Sequence, residues 1–384
     1  MATQSLTVST PIPRAASAPG RVGTRVVLVA ASLEILGGHG VEAALLQEAL
    51  ESEGYEVSYL PINPRFPRLL SGLRQVPYAR TTLNEALYLR SLARLREADV
   101  VHVFSASYWS FLLGPVPAML AARARGKRVV LHYHSGEADD HLAHWGPLVH
   151  PWLRLAHAIV VPSEYLREVF ARHGHPSRVI PNVVDLDRFR WRERPAGRLR
   201  LLSTRSLERH YGGHHTLDAF ALVRARWPEA TLTLAGCGSQ ESALRARARA
   251  LGLDGAVRFL GRVEPADMPA LCDGSDVFVN SSLVDNQPVS ILEAFAAGLP
   301  VVTTPTGAIR EMVRHRQTGL LVPPSDPAAM AAAVGELLAE PELGRRLARA
   351  AHEEVAAYTW PRVRAAWAEV YSGEAGCDWN ACGR

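Results

Sequence analysis

Two carboxylates eight positions apart, Asp285 and Glu293, are the residues of this 384-residue chain whose types and spacing point most directly to chemistry. They lie in DVFVNSSLVDNQPVSILEAFAAGLPVVTTPTG, residues 276–307. DVFVN is short, apolar and β-rich, the signature of a buried strand. SSLVDNQ has loop chemistry, Pro288 suits a first helical turn, and SILEAFAAG is a helix closing at Gly298, followed by the strand PVVTT. Such a unit belongs to a parallel sheet covered by helices, whose ligands lie beyond the carboxyl ends of the strands. Eight helical positions span at most roughly 12 Å, so the two acids can grip separate parts of one extended ligand. An acid in a helix is ordinarily a solvated surface group. Glu293, however, sits among Ile291, Leu292, Ala294, Phe295, Ala296 and Ala297, where an acid is either paired or part of a site.

Arg205 follows the apolar run RLRLLST at a strand's carboxyl end, a suitable place for a phosphate ligand. Gly37-Gly38-His39-Gly40 stands between the strand RVVLVAAS and the helix VEAALLQEALESEG, where the backbone approaches a ligand or simply turns tightly. The stretch VVLHYHSGEADDHLAHW gathers His132, His134, Asp139, Asp140, His141 and His144, from which a metal site can be drawn.

The elements that must position these residues alternate along the chain. Strands at 25–32, 55–62, 98–106, 127–136, 157–164 and 178–182, with a helix near 110–125, imply a parallel, doubly wound sheet. The chain is too long for one comfortable core and suits two domains. Its net charge of +4 offers no diffuse basic field for nucleic acid. Cys237, Cys272, Cys377 and Cys382 lack metal spacing, and a reduced, cytoplasmic compartment is the default. No apolar run reaches 18 residues. Residues 1–23 lack an apolar signal core and read as a disordered leader. Residues 63–97 set Arg65, Arg68, Arg74, Arg80, Arg90, Arg94 and Arg96 among Leu, Phe and Tyr. This suits peripheral contact with the inner face of an anionic membrane, or an ordinary solvated helix face.

The 276–307 stretch resembles the signature of the retaining family-4 glycosyltransferases. Their pattern of an acid, seven residues, then Glu-Ala, a small apolar pair, Gly, any residue, Pro and two valines is matched by Glu293, Ala294, Phe295, Ala296, Gly298, Pro300, Val301 and Val302, with Asp285 where Glu is usual. The resemblance covers about residues 24–372. It implies a GT-B fold, with two Rossmann-like doubly wound domains facing across a cleft and a C-terminal helix crossing back. The implied divisions are an acceptor-side domain over 24–182, a nucleotide-sugar domain over 198–355 after an Arg/Pro-rich linker, the returning helix over 356–372 and a frayed tail over 373–384.

By the same resemblance, the donor is a nucleotide-diphosphate sugar and no metal or cofactor is required. The acceptor stays open among glycan, lipid-linked and small-molecule compounds. His134 is expected to reach the donor sugar, with His132 second choice. Asp285 and the following backbone of Asn286, Gln287, Pro288 and Val289 would hold sugar hydroxyls, and Glu293 the ribose. Gly38, Gly236 and Gly238 would face the donor, whose base would stack near Arg262 and Val263. The family clamps the diphosphate with an Arg and a Lys; Arg205 matches the first, whereas Arg209, His210 and Tyr211 occupy the region of the second. Arg would not replace Lys neutrally. That departure keeps a non-catalytic binding subunit in view, beside a nucleotide-sugar epimerase. A dinucleotide oxidoreductase is disfavoured because no G-x-G-x-x-G follows the first strand.

Overall fold

The computed structural model describes residues 23–32, 38–66, 76–105, 107–194 and 199–374. Most of the leader, Gly37, Arg68, Arg74 and the last ten residues lie outside them. The first unit runs β1 (Arg25–Ala30), α1 (Gly38–Ser52), β2 (Glu56–Pro61), α2 (Pro77–Ser91), β3 (Val100–Ser105), α3 (Trp109–Leu113), α4 (Pro115–Arg123), β4 (Arg128–Tyr133), α5 (Ala138–Leu153), β5 (Ala158–Val161), α6 (Glu164–Arg172) and β6 (Arg178–Val179). The single helix expected near 110–125 is two. Gly114 ends α3 and Pro115, which has no N–H to continue its ladder, opens α4. The strand expected over 178–182 keeps only two paired residues.

The second unit runs β7 (Arg200–Ser203), α7 (Gly213–Arg226), β8 (Thr231–Ala235), α8 (Glu241–Ala250), β9 (Val257–Gly261), α9 (Met268–Asp273), β10 (Val277–Asn280), α10 (Val289–Ala296), β11 (Val301–Thr303), α11 (Ile309–Met312), β12 (Leu320–Leu321), α12 (Pro327–Ala339) and α13 (Pro341–Val355). A last helix, α14 (Trp360–Ser372), follows.

Each unit holds one parallel six-stranded sheet, ordered β2-β1-β3-β4-β5-β6 and β12-β11-β10-β7-β8-β9. Runs such as VVLVA and VFVN are buried along their whole length because helices cover both faces of each sheet. In the first unit one face packs under α4 and α5 through Met119, Leu142 and Val149. The other face takes α1 and, returning from the far end of the chain, α14: Val363, Trp367, Val370 and Tyr371 join Leu46, Leu50 and Val130 in one core. In the second sheet β7 and β10 are neighbours although other elements separate them in sequence, which makes their carboxyl ends the point where strand order reverses. That is where doubly wound sheets bind ligands.

Candidate active site

Arg205 lies two residues beyond β7, and Asp285 lies in the loop between β10 and α10, so both stand at this reversal point. Arg205 Nη2 donates to Asp285 Oδ2 at 2.7 Å, and Nη1 lies 3.5 Å from Ser290 Oγ. Its buried Nε has no hydrogen-bond partner among the described residues. A part-buried guanidinium with a buried, unused donor is poised for an anionic acceptor.

Val289, Ser290 and Glu293 of α10 line the cleft; Glu293 is part-buried, and the other seven residues of the helix are buried. Burial pushes its carboxyl up to about 7, against the opposing pull of Arg188 and Arg205. The free amides at the start of α10, at Val289 and Ser290, border the same cleft, which has a volume of about 320 Å³.

The positions expected to replace the lysine separate. Tyr211 packs its ring on the Arg205 guanidinium, 4.1 Å from centroid to carbon, and His210 lines the cleft beside it. Arg209 does not line the cleft. It borders a different hollow with Glu208, Gly213, His214 and Gln240, because residues 209–211 form a 3-10 turn that sends successive side chains apart. Gly236 lines the cleft, with φ of +148° and its Cα so near the Arg205 carbonyl that a Cβ would come within 2.2 Å of that oxygen. Gly238 packs instead on Leu207 behind the wall. Arg262 and Val263 line the far end.

The opposite wall comes from the first unit. His134, Ser135, Gly136 and Glu137 follow β4, and Asn182 and Val41 complete it. Gly38 opens α1, and Val41, nearly a turn later, lines the cleft. His132 is buried and hydrogen-bonded behind the wall, so of the two candidates His134 faces the cleft. Among the described residues no group of three or more His, Cys, Asp or Glu is placed to hold a metal ion.

The units are joined across this cleft. Gln287 Oε1 accepts from Asn182 N at 2.6 Å, and the Gln287 carbonyl accepts from Asn182 Nδ2 at 2.9 Å. Ser163 Oγ donates to Asn286 Oδ1 at 2.6 Å. Glu311 accepts from the Glu164 and Tyr165 amides at the start of α6. Glu42, adjoining Val41, is buried at the crossing between units; burial raises its carboxyl to about 8, opposed by a hydrogen bond from the Val183 backbone.

Residues 36–188 match the family described as Glycosyltransferase Family 4, and residues 187–354 match Glycosyl transferases group 1. The glycogen synthase of Mycobacterium tuberculosis is 30% identical, over 88% of this chain and 91% of its own. The chain belongs to the family-4 glycosyltransferases. The phosphatidyl-myo-inositol mannosyltransferase of Mycobacterium leprae is 28% identical over 88% of this chain and 94% of its own. Among solved structures, Anabaena HepE in complex with UDP-glucose superposes with a TM-score of 0.72 at 19% identity, covering 91% of this chain and 99% of that one. Sucrose-phosphate synthase from Thermosynechococcus elongatus gives 0.66 at 20% identity, over 91% and 99%. These structures share the two-unit GT-B fold.

Within this glycosyltransferase, several residues in the cleft or at the contact between units leave little trace in the sequence. Asn182 pairs with Gln287 across 105 positions, a contact that leaves no local signal. Tyr211 stands out only as a missing lysine. Glu311 looks like a surface acid of α11, yet it caps a helix of the other unit.

Proposed function

We propose that the chain transfers a glycosyl group from a nucleotide-diphosphate sugar to an acceptor hydroxyl, with retention at the anomeric carbon and without a metal or cofactor. The observation that carries this reading is the convergence of Arg205, with its unused Nε, and the α10 amides at the strand-order reversal, with Glu293 farther along the same helix.

Cleavage of the sugar–phosphate bond leaves negative charge on the β-phosphate. Arg205 and the α10 N-terminus supply preorganised donors for that charge. A diphosphate that engages Arg205 displaces Asp285 from it, and the freed carboxylate turns to the sugar hydroxyls. Glu293 accepts from the ribose. His134, on the opposite wall, reaches the sugar. The departing phosphate oxygen takes the acceptor proton, so neither acid needs to act as a base. The inter-unit hydrogen bonds hold the cleft shut and exclude water. HepE in complex with UDP-glucose and the glycogen synthase named above favour a hexose donor.

The test is turnover of UDP-, GDP- and ADP-hexoses with glycan, lipid-linked and small-molecule acceptors, followed by proton NMR of the product's anomeric centre. Preserved configuration, undiminished by EDTA and lost in Arg205→Ala, supports the reading. An epimerised free donor, or binding without turnover under any pairing, would point to the epimerase or the non-catalytic subunit.

A narrower proposal concerns the membrane. No helix among the described residues is long and apolar enough to cross one. α2 leaves Tyr78 88% and Leu89 49% exposed beside exposed Arg80 and Arg90, a surface suited to peripheral contact with anionic lipid. Co-sedimentation with phosphatidylglycerol vesicles, lost in Tyr78→Ser/Arg80→Ser, tests it; equal sedimentation of both proteins contradicts it.

A further inference from the structure

Behind His134 runs a buried line of polar side chains that none of the proposed steps uses. Tyr371, near the end of α14, places its hydroxyl 2.7 Å from His102 Nδ1 on β3. His102 Nε2 lies 3.2 Å from His132 Nδ1 on β4. The His132 ring packs against His134, with centroids 4.0 Å apart, and Phe104 stacks on His134 at 5.4 Å with the planes 13° apart. His102, His132 and Tyr371 are 0%, 1% and 5% exposed.

The chemistry of the groups gives this line a direction. A buried phenol must donate its hydrogen, and among the described residues His102 Nδ1 is the acceptor within reach. His102 is kept neutral by burial, which pushes it down to about 3, so with Nδ1 accepting, its proton sits on Nε2. That N–H donates to His132 Nδ1, leaving a neutral His132 protonated on Nε2. Each bond therefore sets the next ring's tautomer, starting from the helix that returns from the second unit.

We infer that Tyr371 and His102 are positioning residues that fix the tautomer and rotation of His132, and through its ring the placement of the cleft histidine His134. The inference rests on the proposed role of His134 only for its effect on turnover; the line itself is independent of any ligand. It makes correct docking of α14 a condition for a correctly oriented His134.

The test uses the full chain with ¹⁵N-labelled histidine and long-range proton–nitrogen correlation spectra, on wild type, Tyr371→Phe and His102→Phe. Tyr371→Phe keeps the ring that packs on Trp367 and removes only the hydroxyl; His102→Phe breaks both bonds while filling the space. The expected result is His132 protonated on Nε2 in the wild type. A mixture of tautomers and displaced His134 ring resonances should follow in Tyr371→Phe, with loss of the single tautomer in His102→Phe too. Turnover in Tyr371→Phe should fall about ten- to hundredfold, the scale of a misplaced group near the reacting centre, with donor KM little changed. His132 protonated on Nδ1 in the wild type, or unaltered His134 resonances in Tyr371→Phe, would overturn the inference, as would unchanged kcat. If the wild type turns over no nucleotide sugar, the functional proposal fails, while the spectra still decide whether the line orders His132 and His134.

Discussion

Arg205 and Asp285 are bonded to one another at 2.7 Å, with side chains 15% and 8% exposed, at the spot where a diphosphate and a sugar would otherwise claim one each. In the absence of a donor the two groups neutralise each other, which offsets the cost of burying either charge. On the proposed mechanism the donor parts them before it can use them.

Removing one partner should separate nucleotide affinity from turnover. In Asp285→Asn the competitor for Arg205 is gone, so a nucleoside diphosphate without sugar should bind several-fold more tightly than in the wild type. Turnover of the nucleotide sugar should fall at least tenfold, because the sugar hydroxyls lose their carboxylate. Titration calorimetry and initial rates check both halves; weaker binding of the bare nucleotide would refute the displacement step.

Glu293 and Glu42 make the fold sensitive to pH in a direction opposite to ordinary surface acids. Burial raises them to about 7 and about 8, above their unfolded values near 4.5. The folded state thus holds protons that the unfolded state has released, so stability falls as pH rises through the interval from about 4.5 to 8. The loss is on the order of 3 kcal/mol for Glu293 and about 5 kcal/mol for Glu42. Glu293→Gln and Glu42→Gln should melt higher than wild type at pH 8, with the difference vanishing at pH 4.5. Urea unfolding at the two pH values measures this, and a constant difference would contradict it.

Closure should depend on Gln287. Its two bonds to the Asn182 backbone and side chain are buried and join the units, each contributing about 1 kcal/mol net. Gln287→Ala should favour the open form, raise donor KM and increase the radius of gyration seen by small-angle X-ray scattering, with little change in melting temperature. Gly136→Ala should act alike, since a Cβ there would lie 3.0 Å from the Asp285 backbone. Unaltered scattering in both variants would contradict the role of these contacts.

Tyr211 holds Arg205 by its face rather than by a charge. Exposed to partly buried cation–π contacts contribute about 0.5–2 kcal/mol. Tyr211→Ala should therefore weaken nucleotide binding several-fold, while Tyr211→Phe, which keeps the ring, should retain it. Equal loss in both would assign the effect to the hydroxyl instead.

The fold was legible because its signals are local. Apolar runs such as VVLVA and VFVN announce strands covered on both faces, and Pro288 and Gly298 bracket α10 within one short stretch. Asp285, Glu293 and Arg205 were legible for a related reason, since each sits just past a strand or inside a conspicuously apolar helix. The Arg205–Asp285 bond was not legible, because nothing in either neighbourhood says that the two side chains turn toward one another. Arg209 misleads for the converse reason. Its charge suits the missing lysine, but a 3-10 turn directs it away from the cleft. The Tyr371–His102 pair joins residues 269 positions apart, and only the return of α14 onto the first sheet brings them together.

The most direct test of the central claim is nucleotide binding at the reversal point between β7 and β10. Thermal shift would be measured for wild type and Glu293→Ala with UDP, GDP, ADP and their common sugar conjugates at millimolar concentration. Stabilisation by one nucleotide series, reduced or abolished in Glu293→Ala, is the predicted result and names the donor's base. No stabilisation by any of them, or equal stabilisation of both proteins, would contradict the placement of the donor in this cleft.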